Sequence, residues 1–188
     1  MKAHIEKEYK LLLTKQQFEK LYALHHMPVY KTQINTYFDT LENTLLQQKS
    51  AMRIRQTDNN FLFTLKRWKG NDLLEYECPV SSNSIDVLQQ AKIQTILKRF
   101  GIFGPFKILT SLTTQRATIK TDVYELCFDI NFYNHKTDYE IEYEYKKEHD
   151  GLSTFNAILS PINVRYTSNA MSKIMRALTS KKTALNAQ

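Results

Sequence analysis

Along most of this chain, apolar and polar positions take turns. Successive side chains of a β-strand point to opposite faces, so strict alternation predicts strands with one wet or charged face and one packed face. The cleanest run is Tyr139-Glu140-Ile141-Glu142-Tyr143-Glu144-Tyr145-Lys146. Near the start, Glu6, Glu8 and Lys10 share one side and Ile5, Tyr9 and Leu11 the other, as on a single strand. Arg53 and Arg55 alternate with Met52 and Ile54, and Thr64 and Lys66 with Phe63 and Leu65. Glu75 and Glu77 oppose Leu74, Tyr76 and Cys78, while Thr114, Arg116, Thr118 and Lys120 share a face. In residues 123–132, Tyr124, Leu126, Phe128 and Ile130 are set against Glu125, Cys127, Asp129 and Asn131. Residues 30–39, rich in β-branched and aromatic types, form a further predicted strand. The polar turns Asp58-Asn59-Asn60 and Lys69-Gly70-Asn71-Asp72 join neighbouring strands into an antiparallel meander.

Where the period changes to that of a helix, a start signal precedes it. Thr14-Lys15-Gln16-Gln17 has the form of a capping box, followed by Phe18, Leu21 and Tyr22, and that helix runs towards Pro28. A second helix opens at Ser84 and ends at Gly101, with Val87, Leu88, Ala91, Ile96 and Leu97 on one face. Two more close the chain. One spans about 152–159 before Pro161, and the other starts at Ser168 or Asn169 and carries Met171, Ile174, Met175 and Leu178.

Composition narrows the class without naming a chemistry. With 188 residues, 42% hydrophobic and 24% charged, the chain suits one globular domain over residues 1–188, with a loose tail from about 180. It has no apolar run of membrane-spanning length and no signal-peptide core at its start, so no membrane association and a cytoplasmic location are expected. Cys78 and Cys127 lack zinc-site spacing and read equally well as reduced core residues or a disulfide. The net charge of +7 favours an anionic partner but does not choose among nucleic acid, phosphorylated small molecule and membrane surface. Cations that alternate with carboxylates, instead of making a single-sign stripe, argue against nucleic acid.

The charged faces decide more. Glu-x-Glu recurs at 6/8, 75/77 and 140/142, and Arg-x-Arg stands at 53/55, with Lys10, Lys66 and Arg116 on similar strands. A half-exposed sheet with its charges in water explains any one of these strands. For the set, the alternative is a closed barrel whose lumen carries the charges and whose apolar outer face is covered by helices. Such a lumen is costly unless its charges are paired or bind ligands. Clusters of both signs suit a polyanion held together with a divalent cation, and carboxylates without His or Cys favour Mg²⁺ or Mn²⁺ over zinc. Asp129 has two readings, as an ion-pair partner of Arg116 or as a metal ligand.

Glu6-x-Glu8-x-Lys10, followed in order by Arg53-x-Arg55, Lys66, Glu75-x-Glu77, Arg116, Asp129 and Glu140-x-Glu142, resembles the signature of the CYTH superfamily, the triphosphate tunnel metalloenzymes. The resemblance implies an α+β fold, an eight-stranded antiparallel β-barrel or tunnel with a charged lumen and helices packed outside. It implies a metal-dependent triphosphatase that uses Mg²⁺ or Mn²⁺ on inorganic triphosphate or a small organic triphosphate. An adenylate cyclase of class IV or a non-catalytic triphosphate-binding module are the alternatives. Lys10, Arg53, Arg55, Lys66, Arg116 and Lys173 would bind phosphate oxygens. Glu6, Glu8, Asp129, Glu140 and Glu142 would hold metal, with Glu6, Glu8, Lys10 and Glu142 in the catalytic group and Glu75 and Glu77 in support. Trp68 departs from the family pattern, where a second basic residue is common, and Glu144 extends the last motif without an assigned role. Oligomeric state is left open, a homodimer included.

Overall fold

The computed structural model describes residues 3–185. The elements in chain order begin with β1 (Ala3–Glu6), β2 (Glu8–Leu13), α1 (Lys15–Leu24), β3 (Lys31–Thr40), α2 (Thr44–Gln47) and β4 (Ala51–Thr57). They continue with β5 (Asn60–Lys69), β6 (Asp72–Val80), α3 (Ala91–Arg99), β7 (Phe106–Lys120), β8 (Tyr124–Tyr133), β9 (Lys136–Tyr145), α4 (Gly151–Leu159) and α5 (Lys173–Leu185). This is an α+β fold of antiparallel strands and helices. Among the described residues the strands number nine where eight are expected, because the opening stretch is two strands broken at Lys7.

The chain divides into two compact units. The first takes residues 3–6, 33–112 and 177–185 of those described, and its strands run in the order β1-β6-β5-β4-β3, each pair antiparallel. The second takes residues 7–32 and 113–176, with the order β7-β8-β9-β2. Each unit has its own apolar core on one side of its strands. In the first, Met52, Ile54, Phe63 and Leu65 pack with Leu88, Ile93 and Leu97 from the segment around α3. In the second, Phe128, Ile141 and Tyr143 pack with Phe18 and Leu21 of α1 and Phe155 and Leu159 of α4. The alternating apolar residues therefore face helices, which leaves the charged residues to the opposite face of the same strands.

Local sequence explains most boundaries. Thr14 and Gln17 form the full capping box, side chain to backbone in both directions, which is worth about 1 kcal/mol to a helix start. The helix expected from Ser84 is instead a short 3₁₀ segment, Ile85–Gln89, capped by the Ser84 side chain and followed by α3. α3 ends at Arg99, and Gly101 just beyond its cap has a φ of +68°, the left-handed conformation that glycine adopts without strain. α4 gives way to a 3₁₀ turn containing Pro161, which cannot continue an α-helical ladder. The last helix starts later than its apolar spacing suggests, at Lys173, and its backbone ladder begins from the Ser172 carbonyl. Residues 180–185 of the expected loose tail belong to this helix; residues 186–188 lie outside the described residues. No helix among the described residues is long and apolar enough to cross a membrane, and both cysteines are free thiols.

Candidate active site

Strand register gathers charges in the second unit. Arg116 is opposite Asp129, Asp129 is opposite Glu140, and in the next row but one Cys127, Glu142 and Lys10 stand side by side. Alternation puts Asp129, Glu140 and Glu142 on the face turned away from the apolar core. Carboxylate oxygens of these three residues lie within 4.8 Å of one another. Asp129 and Glu140 are fully buried, and Glu142 nearly so.

Three cations neutralise this cluster. Arg116 forks onto both oxygens of Asp129 (Nε–Oδ1 2.7 Å, Nη2–Oδ2 2.5 Å) and also donates to Glu142. Lys173, the first residue of α5, sits among all three carboxylates: its Nζ is 2.8 Å from Asp129, 2.9 Å from Glu140 and 2.5 Å from Glu142. A lysine in the first turn of a helix is opposed by the helix dipole, so the carboxylates hold it there. Arg176, one turn on, reaches Glu140 (2.6 Å) and Asp138 (2.8 Å). Burial alone would push the Glu142 carboxyl up, but Arg116, Lys173 and Lys10 outweigh it and hold it well below the ordinary carboxylate range. Burial works against the charge of Lys173 too, and Asp129, Glu140 and Glu142 reverse it and raise its pKa.

Lys10 and Glu8 form their own pair in this unit, Nζ to Oε1 at 2.5 Å, both largely buried. The backbone of β2 here is tied to the segment before α5, since Asn169 accepts from the Lys10 N–H and donates to the Glu8 carbonyl. The pKa of Lys10 is lowered by burial and raised more by Glu8, Glu142 and Glu140, with a net rise. Glu144 lies on the same face but is paired with Lys146 at 2.8 Å.

The first unit holds the other expected charges. Lys66 donates to both oxygens of Glu6 (2.5 and 2.6 Å) and lies 3.5 Å from Glu75. Glu75 is the hub of this group, with His4 at 3.0 Å and Arg53 at 3.8 Å. Its burial raises the carboxyl pKa, and Lys66, Arg53, His4 and Arg55 bring it down below the ordinary value. Arg55 donates to Asn35 at 3.0 Å, and Glu77 accepts from Thr64 at 3.1 Å. The buried Nε of Arg53 makes no hydrogen bond. Glu6 and Glu8, expected as one carboxylate pair on one strand, thus belong to different strands and different units, each with its own lysine. The break at Lys7 causes this: β1 pairs with β6 and β2 with β9.

Several side chains in contact with the carboxylate cluster were not singled out by the sequence. Arg176 is three residues after Lys173, the spacing that puts two helical residues on one face. Asp138 continues the Glu140/Glu142 face by one more step but lies just before the alternating run that begins at Tyr139. Asn131 is on the expected polar face of β8, where it donates to Asp138 (2.9 Å) and Glu140 (3.3 Å). Trp68 is half exposed at the end of β5. Cys127 is buried, which pushes its thiol up to about 11, so a nucleophilic thiolate is not populated near neutral pH. Tyr139, Tyr143 and Tyr145 pack into the core of the second unit, against Phe18, Phe155 and one another.

The CYTH domain family matches residues 4–174, which spans both groups of charged residues. The chain belongs to the CYTH family. Among CYTH relatives, a Bacillus subtilis (strain 168) protein, YjbK, named as a candidate triphosphatase, is 31% identical over 201 residues, covering 98% of this chain and all of that protein. A solved structure of a candidate adenylate cyclase from Bacillus halodurans has 31% identity and a TM-score of 0.82, over 94% of this chain and 98% of that one. A Hippeastrum protein, a candidate adenylyl cyclase with a dominant triphosphatase activity, matches at 23% identity and a TM-score of 0.75, over 94% and 96% of the two chains. This last likeness is one of fold.

Proposed function

We propose that this CYTH protein is a divalent-metal-dependent hydrolase that cleaves a phosphoanhydride bond of inorganic triphosphate or a small organic triphosphate. The observation that carries the reading is the buried cluster of Asp129, Glu140 and Glu142, flanked by Arg116 and Lys10 and with the Lys173 ammonium at its centre. Three carboxylates converge there on the position of one positive charge. The donor set fits Mg²⁺ or Mn²⁺, being oxygen only, without His or thiolate. One oxygen, Oε1 of Glu140, is buried and makes no hydrogen bond. An unsatisfied buried carboxylate oxygen is costly, and a metal ligand role removes that cost. Glu6 and Glu8, in pairs with Lys66 and Lys10, are assigned as further carboxylates for metal or for orienting water.

A divalent ion at these carboxylates would neutralise charge on the phosphate oxygens. The chain's own cations do the rest of the binding. Arg116, Arg53 and Arg55 offer planar forks suited to phosphate oxygens, and Lys10, Lys66 and Lys173 offer point charges. Glu75 holds the first unit's basic side chains, and Glu77 holds Thr64 on the strand that carries Lys66. Glu142, kept ionised by its cationic neighbours, can accept a hydrogen bond from the attacking water and orient it.

A cyclase acting on ATP is the second reading, favoured by the likeness to the Bacillus halodurans protein. Purified protein is to be offered triphosphate, thiamine triphosphate, ATP and longer polyphosphate with Mg²⁺ or Mn²⁺. Phosphate release that is abolished by Glu142→Gln supports the hydrolase. Cyclic AMP from ATP supports the cyclase instead, and tight binding without turnover under either metal leaves a binding module.

A further inference from the structure

Arg176 is a buried cation that the reading above does not use. We infer that Arg176 is a positioning residue, which fixes the direction of the Glu140 carboxylate for the metal. This rests on the metal reading of the Asp129, Glu140 and Glu142 cluster.

The geometry is that of a clamp. The guanidinium gives Nη2 to Oε2 of Glu140 at 2.6 Å, and Nε to Asp138 at 2.8 Å with Nη2 also 3.3 Å from it. Its remaining arm, Nη1, donates to the Met171 carbonyl at 2.5 Å, which ties the fork to the segment entering α5. Asp138 is itself held by the Tyr133 hydroxyl (2.5 Å) and Asn131 (2.9 Å), and Asn131 also donates to Oε2 of Glu140. Oε2 of Glu140 is therefore held by Arg176 and Asn131 while it faces the Lys173 ammonium at 2.9 Å, and Oε1 makes no hydrogen bond. A carboxylate locked through one oxygen has a fixed direction for the other. Partners of this kind typically change metal affinity by about 10- to 100-fold when removed.

Simple charge predicts the opposite sign. Arg176 is positive and close to the cluster, so if it acted only as a charge its loss would tighten cation binding. Positioning predicts weakening. The test measures Mn²⁺ binding to the substrate-free, full-length protein by titration calorimetry and by the electron paramagnetic resonance of free Mn²⁺. Arg176→Met should bind Mn²⁺ about tenfold or more weakly than the unaltered chain. Arg176→Lys keeps the charge but not the fork, and it should also bind more weakly; it is the variant to read where Arg176→Met fails to fold. Equal or tighter binding by Arg176→Lys overturns the inference while the metal reading stands. If the unaltered protein binds no Mn²⁺, the metal reading falls, and the inference with it.

Discussion

Replacing Lys173 by Met should separate two properties that usually move together, by tightening metal binding while weakening the protein without metal. The ammonium lies 2.5–2.9 Å from three carboxylates, in the space a divalent ion would claim. At an effective dielectric of about 20, each contact is worth about 6 kcal/mol of gross Coulomb attraction. Desolvation of the buried charges cancels most of it, and removal of one partner of a buried pair costs about 3–5 kcal/mol in practice. For a chain of this size each kcal/mol moves Tm by roughly 2–4 °C, so metal-free Lys173→Met should melt roughly 6–20 °C lower. The unaltered protein must expel Lys173 before a metal binds, whereas the variant has no such competitor. Each factor of ten in affinity corresponds to about 1.4 kcal/mol, so even part of the lost pairing returned by the ion tightens binding by tenfold or more. At 100 times Kd the ion then restores about 2.7 kcal/mol, most of a typical loss. The assay is differential scanning fluorimetry in EDTA and in a Mg²⁺ series, with calorimetric titration for Kd. A Mg²⁺ affinity unchanged or weakened in Lys173→Met would refute the idea that Lys173 stands in the ion's place. Triphosphate turnover should fall in the same variant, because the lysine is also assigned to phosphate.

Glu142→Gln keeps the shape but removes the carboxylate shared by Arg116 and Lys173; phosphate release should drop by at least about 100-fold, the scale of losing a positioned base, in a malachite-green assay. Acid should destabilise the protein in a defined window. Glu142 and Glu75 have pKa values depressed in the folded state, so their stabilisation is complete above the unfolded carboxylate value of about 4.3 and is lost as pH falls through the lower folded values. Urea midpoints should therefore hold from neutral pH down to about 4.3 and fall below it, and Glu142→Gln should flatten that fall. Gly151→Ala would drive a Cβ into the Tyr145 ring, against a side chain packed with Tyr9 and Tyr143. Overpacking of this kind costs about 1–3 kcal/mol, readable as a lower urea midpoint with little change in metal affinity.

Sequence alone determined the local rules. Alternation at Tyr139–Lys146 and in the strands before it separates a charged face from an apolar one, because β side chains have a period of two. Thr14 and Gln17 announce α1, and Pro161 stops α4, because caps and proline act within a turn of chain. The types of residue on the charged faces, oxygen donors with arginine and lysine, already spoke for phosphate and a hard cation. What tertiary structure decided is which of these charges meet. Register is set by long-range pairing, and that pairing divides Glu6 from Glu8, giving one to Lys66 and the other to Lys10. It also sets Asp129 beside Glu140, and it lets α5 return residues far along the chain, Lys173 and Arg176, to carboxylates on β8 and β9. Residues separated by dozens of positions leave no local trace of their pairing. A spacing can therefore predict the face a charge occupies, while its partner is fixed only when the strands have found their neighbours.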